Sequence, residues 1–218
     1  MLLHDSMIFI LYCMGTRRRG GKMLSKGKTA KVIYPAIPCK DGRDMTNYVS
    51  RVINDDRKLL FLVHHKKELM KKLKAIDPEQ KYFIYPEYCE PGELLESNRE
   101  DGVTDENKHR SEIMVKANPL RKGEQFNKKH LLKAIKLLHS NKILHGDIHS
   151  GNIVLGFDNL PRLIDFDSGI VDAPKEMIDL EKKYVRTISP SFSQYRDFSL
   201  YWNIHVFARE HSLDTITQ

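Results

Sequence analysis

The order of apolar and polar positions divides the chain into a strand-rich first part and a helix-rich second part. Residues 22–34 alternate loosely and carry Gly27 midway, which predicts two short strands around a turn, ended by Pro35 and Pro38. The β-branched run Asn47 to Ile53 predicts a third strand. Asn54-Asp55-Asp56 offers helix caps, and Leu59, Leu60, Leu62, Val63, Leu69, Met70, Leu73 and Ile76 recur at helical intervals, so a long helix is expected over 57–76, stopped by Asp77-Pro78. Lys81 to Tyr85 reads as a strand, and residues 87–112, polar and acidic, as a solvated loop or irregular insert. Glu112 to Lys116 predicts a further strand, leading to a turn at Asn118-Pro119. Phe126 to Ser140 carries a buried stripe of Leu131, Leu132, Ile135, Leu137 and Leu138. Two short strands follow, Ile153-Val154-Leu155 and Pro161 to Ile164. Several strands with one long helix, then mostly helix, is an α+β order.

Composition narrows the class. With 218 residues, 40% hydrophobic and 30% charged, the chain is long enough for a core of two lobes and ordinary for a globular protein. Cys13, Cys39 and Cys89 are odd in number and lack metal-ligand spacing, so neither a metal site nor a disulfide framework is expected, and a reducing intracellular, cytoplasmic setting follows. Residues 1–74 carry a net +11 and the rest −4, giving the overall +7. The basic part reads as a solvated lysine face, since no finger, RNA-binding motif or basic run interleaved with aromatics accompanies it, and no specific nucleic-acid partner is expected. Met7 to Met14 is too short for a membrane span, which takes roughly 20 residues, and its flank is acidic, unlike a signal peptide. Residues 1–20 read as a disordered leader, and no membrane partner is expected.

The chemistry concentrates in Leu144-His145-Gly146-Asp147-Ile148-His149-Ser150-Gly151-Asn152 and, after a gap, Leu163-Ile164-Asp165-Phe166-Asp167. An Asp, an Asn five residues on, and a second Asp behind two apolar residues supply a carboxylate to receive a hydroxyl proton and oxygen ligands for Mg²⁺ against ATP phosphates. Asp147 and Asn152 alone would also suit a turn. Asp165 in an apolar strand needs a stronger reason, because an unsatisfied buried carboxylate is costly.

With these motifs in order, the chain resembles a protein kinase from about Gly21 to Phe207. Pro35 to Cys39, Ile76 to Phe83 and Tyr85-Pro86-Glu87-Tyr88-Cys89 make it similar in detail to the divergent Ser/Thr protein kinases of large DNA viruses. The resemblance implies a two-lobed kinase-like fold, with a mostly β N-lobe at about 21–117 and a shortened helical C-lobe at about 118–218. It implies ATP and Mg²⁺ as cofactors, a protein substrate, and the host cytoplasm if the chain is viral. It makes Asp147 the base, His145 the support of its loop, and Asn152 and Asp165 the metal ligands. Gly27 and Val32 stand in the nucleotide loop, Ser25 to Val32, where Ser and Ala replace two glycines. Arg51 stands where the phosphate-pairing lysine is usual, with Glu68 as its carboxylate partner. His149 replaces a lysine that meets the γ-phosphate, as in aminoglycoside and choline kinases, and Asp167 replaces a glycine. Gly146 replaces an arginine that reads a phosphorylated activation loop, so phosphorylation need not switch this chain. Asp197, in Arg196-Asp197-Phe198, resembles the helical acid that anchors the catalytic loop. Two other functions stay open: a pseudokinase acting as a nucleotide-binding or scaffold protein, from the eroded glycine loop and Arg51, and a small-molecule kinase, from Gly146, His149 and Asp167.

Overall fold

The computed structural model describes residues 22–26, 30–53, 56–120 and 124–187. The expected leader, Gly27, the caps Asn54 and Asp55, and Asp197 lie outside these residues. The chain divides into two compact units, one drawing on 1–70 and 84–119 and the other on 71–83 and 120–218. Residues 71–83 thus cluster with the second unit, which a single boundary near 117 does not anticipate.

The first unit is built on an antiparallel sheet in the order β1 (Lys22–Lys26), β2 (Ala30–Tyr34), β3 (Tyr48–Ile53), β4 (Ser111–Val115). Alternation gives this sheet two apolar faces. Leu24, Val32 and Val49 cluster on one, and Ile33 and Val52 join Ile37, Leu94 and Val103 on the other. Leu94 and Val103 belong to the acidic insert, which is therefore not the solvated loop its composition predicts. It carries a short helix, α2 (Glu96–Glu100), whose buried Asn98 donates to the Pro35 carbonyl at 3.0 Å. Lys31 Nζ donates to the Asp101 and Gly102 carbonyls just past that helix. A few apolar side chains and one buried amide fix an otherwise polar segment.

Cys39 and Cys89, fifty residues apart, are joined by a disulfide, which corrects the expectation of unbridged cysteines. The bridge lies beside paired backbone, with Lys40 N donating to Glu90 O at 2.9 Å and Gly92 N to Pro38 O at 2.7 Å. The bridged cysteines form an apolar cluster with Ile113, and Met45 and Tyr48 pack against it.

The long helix α1 spans Asp56–Ile76, with Leu69 and Leu73 buried. Asp77 follows it and explains why Lys81–Tyr85 is not a strand. Its carboxylate accepts from the backbone N–H groups of Lys81, Tyr82 and Phe83 at 2.8–2.9 Å. Donors that a ladder would use are satisfied by one side chain, leaving only isolated bridges, Phe83 to Leu163 and Glu87 to Ile113.

After a two-residue strand, β5 (Asn118–Pro119), the second unit continues with α3 (Lys128–Ser140), capped by the Asn127 side chain. Its buried face is His130, Leu131, Ala134, Ile135, Leu138 and His139, so Leu132 points outward. Strands β6 (Ile153–Leu155) and β7 (Pro161–Leu163) form an antiparallel hairpin, and α4 (Lys175–Thr187) closes the described chain. Met177 and Ile178 of α4 pack with Leu144 and Ala173. Among the described residues no helix is long and apolar enough to cross a membrane.

Closing a fifty-residue loop stabilises by restricting the unfolded chain. Cys39→Ser should lower the unfolding free energy of oxidised protein by about 2–4 kcal/mol in urea denaturation, and reductant should lower the wild type by a similar amount while leaving the variant unchanged.

Candidate active site

The second unit brings together the five residues that the catalytic and metal motifs single out: His145, Asp147, His149, Asn152 and Asp165. Hairpin register does much of this. Ile153 pairs with Leu163, and Ile164 N donates to Asn152 O at 3.0 Å, so Asn152 sits across from the residue preceding Asp165. Asp165 takes a left-handed conformation, φ 61° and ψ 68°, and ends the strand by turning the chain into a short helical turn, Phe166–Ser168. Phe166 is buried against the rings of His145 and Phe83.

The segment before Asp147 is held from beneath. Glu181 of α4 is fully buried. Its Oε1 accepts from His139 Nε2 at 2.8 Å and from the backbone N–H of His145 at 3.3 Å, and its Oε2 accepts from Gly146 N–H at 2.8 Å. Sequence reading missed Glu181. The available signal was a stripe of Met177, Ile178 and Val185 around a single acid, opening after Ala173-Pro174. Gly146 has φ +80°, and a Cβ there would lie 2.5 Å from the Ser168 carbonyl oxygen. The position has no room for any side chain, which accounts physically for the missing arginine.

His145 is buried with both ring nitrogens engaged. Nε2 donates to Ile164 O at 3.0 Å, and Nδ1 accepts from Asp147 N–H at 3.3 Å. Burial pushes its pKa below the ordinary 6.5; the charges of Glu181 and Asp147 and the Ile164 carbonyl oppose this without cancelling it. Asp147 is about a quarter exposed. Burial alone would raise its pKa, but the contacts from His149, His145 and Asn152 outweigh that and hold it below the usual carboxylate value. Asn152 Nδ2 donates to Asp147 O at 2.9 Å and to Asp147 Oδ2 at 3.0 Å. With its nitrogen committed, the oxygen of Asn152 is the atom left to meet a cation.

The donor set fits Mg²⁺. A hard cation that keeps several waters needs only one or two protein oxygens plus phosphate oxygens. Asn152 offers an amide oxygen, and Asp165 has one buried oxygen, Oδ1, that accepts no hydrogen bond, while the residue as a whole is engaged in other interactions. No group of three or more His, Cys, Asp or Glu forms an all-protein metal cage among the described residues. Asp167 is exposed.

The expected nucleotide residues lie in the other unit. Val32 and Arg51 are register partners across β2 and β3, on the same face, and Arg51 is in turn opposite Glu112 of β4. Arg51 is 6% exposed, and its Nη1 lies 3.5 Å from Glu112 Oε2. Glu68 is exposed on α1, and an acid beside Arg51 is its cross-strand neighbour Glu112.

The protein kinase domain profile matches residues 36–187, most of the chain. The chain therefore belongs to the protein kinase family, and a kinase-type phosphotransferase is the class that fold and motifs support. A search of curated proteins finds no match.

Glu181→Ala leaves two backbone N–H groups and a histidine ring without their acceptor, and should destabilise by about 3–5 kcal/mol, read by urea denaturation. His145 binds its proton less readily folded than unfolded, so the unfolded chain takes up the proton first as pH falls. The associated stability is present above about pH 6.5 and is lost below it. Unfolding free energy measured between about pH 7 and about pH 5.5 should fall less steeply in His145→Gln than in the wild type.

Proposed function

We propose that this chain is an ATP- and Mg²⁺-dependent phosphotransferase that moves the γ-phosphoryl group to Ser/Thr hydroxyls of a protein. The observation that carries this reading is the Asp147–Asn152–Asp165 cluster, in which hairpin register and the Asn152–Asp147 hydrogen bonds gather the acceptor carboxylate and two oxygen ligands. Asp147 Oδ2 is occupied by Asn152, leaving Oδ1 to orient the acceptor hydroxyl and take its proton as the new P–O bond forms and the bond to the leaving ADP oxygen breaks. Asn152 and Asp165 would hold Mg²⁺, which neutralises phosphate charge. The depressed pKa of Asp147 keeps it ionised as an acceptor at neutral pH. Arg51 and Val32, on one sheet face, are the proposed nucleotide contacts of the other unit, with Arg51 supported by Glu112 in place of Glu68.

One observation favours a small hydroxylated acceptor as the second reading. Only residues 166–174 join Asp165 to α4, and they are tied back by Ile170 to Leu144 and by Ala173 to Lys142. That connection leaves little free chain on which a peptide could lie. Transfer of radiolabelled phosphate from ATP to a panel of proteins and hydroxylated metabolites separates the two. Asp147→Ala should lower turnover by about 10²–10⁴-fold while nucleotide binding by thermal shift persists. Full activity in that variant would remove Asp147 from the role of base.

A further inference from the structure

We infer that His149 is a positioning residue that fixes which oxygen of Asp147 faces the acceptor, with Gly151 as the platform that holds its ring. The inference rests on the phosphotransferase reading and replaces a phosphate-contacting role for His149. The imidazole Nδ1 accepts the backbone N–H of Gly151 at 3.0 Å and so caps the short turn Ser150–Asn152. An accepting Nδ1 carries no proton, so the ring's proton sits on Nε2. Nε2 lies 3.4 Å from Asp147 Oδ2, the oxygen that already accepts from Asn152 Nδ2. At 3.4 Å this approach is longer than a normal hydrogen bond, and catalytic contacts of this kind tighten in the reacting complex. With Nε2–H joining Asn152 Nδ2 on Oδ2, the rotation of the carboxylate is fixed and Oδ1 is the oxygen that serves the acceptor. Neither ring nitrogen remains for a phosphate.

Gly151 is part of the device. A Cβ there would lie 2.8 Å from His149 Cε1 and 3.0 Å from Nδ1. The ring therefore rests on the bare Cα, and any side chain at 151 would push it from Asp147. Its effect passes through the turn that carries Asn152 and through the carboxylate itself, so one imidazole orders both sides of the pair.

Two substitutions separate its two contacts. His149→Asn keeps an acceptor near the Nδ1 position and loses the Nε2–H donor; His149→Gln puts an amide N–H near the Nε2 position and loses the cap. Full-length variants are assayed for turnover with Mg·ATP, for ATP KM and for thermal midpoint, with Asp147→Asn as the reference for lost chemistry. The expected result for His149→Asn is a kcat lowered about tenfold, ATP KM within about twofold and an unchanged midpoint. His149→Gln should retain about fivefold more turnover than His149→Asn despite a lower midpoint. The reverse order, with Asn active and Gln inactive, would make the ring a turn cap alone and overturn the inference. If the wild type turns over no faster than Asp147→Asn, the phosphotransferase reading fails instead. Long-range ¹H–¹⁵N spectra of the wild type then still decide the geometry: a proton on Nε2 of His149 sustains it, and a proton on Nδ1 overturns it.

Discussion

The second unit depends on one buried carboxylate. Glu181 is fully enclosed, and an acid in that position is tolerable only if its oxygens are saturated with donors. Its three donors come from the end of α3 and from the two residues before Asp147. Without that carboxylate the N–H groups of His145 and Gly146 would lose their acceptor. The acid therefore joins α3, the loop and α4 in one arrangement, and it fixes the backbone from which Asp147 projects. Gly146 is the complementary constraint: its positive φ and the 2.5 Å approach to Ser168 O let the loop lie against the turn after Asp165.

From that anchor outward, the loop spends its polar groups on itself. His145 spans Asp147 N–H and Ile164 O, Asn152 holds both the carbonyl and one carboxylate oxygen of Asp147, and His149 caps Gly151. In the proposed reaction the groups that would meet acceptor and cation are the second carboxylate oxygen of Asp147, the amide oxygen of Asn152, and Asp165 two residues past β7. A site that stabilises transition-state charge gains most when its dipoles are set before the reaction, so this self-satisfaction suits the proposed phosphoryl transfer.

Sequence legibility followed the range of each interaction. The Asp147–Asn152–Asp165 set was readable because all three lie on one loop and hairpin, where spacing along the chain is close to spacing in space. Most strands and the helices α1 and α3 were readable from periodicity, the ends of α3 to within two residues, whereas α4 was not. Lys81–Tyr85 was misread because the Asp77 carboxylate, an element of no periodic pattern, takes three of its N–H groups. The Cys39–Cys89 bridge spans fifty residues, and pairing over that distance cannot be deduced from cysteine positions. The insert looked solvated because two apolar side chains among many charges were enough to anchor it. Glu181 was invisible for a related reason: beside Lys182 and Lys183 it resembles a surface ion-pair residue, and only the apolar stripe around it tells otherwise.

The same distinction separates the expected Arg51–Glu68 pair from the Arg51–Glu112 contact. An Arg51–Glu68 contact would require a helix to be placed against a strand, whereas Arg51–Glu112 is dictated by strand register once β3 and β4 pair. Cross-strand neighbours on one face are held close by the ladder itself, so opposite charges there meet without help from any other element. The loop in the second unit follows the same logic, its groups fixed by hairpin register and by α4. In each unit, then, the charged centres are set by secondary structure that forms with the fold. Groups placed in this way are ordered by folding itself, through strand register and helix contacts.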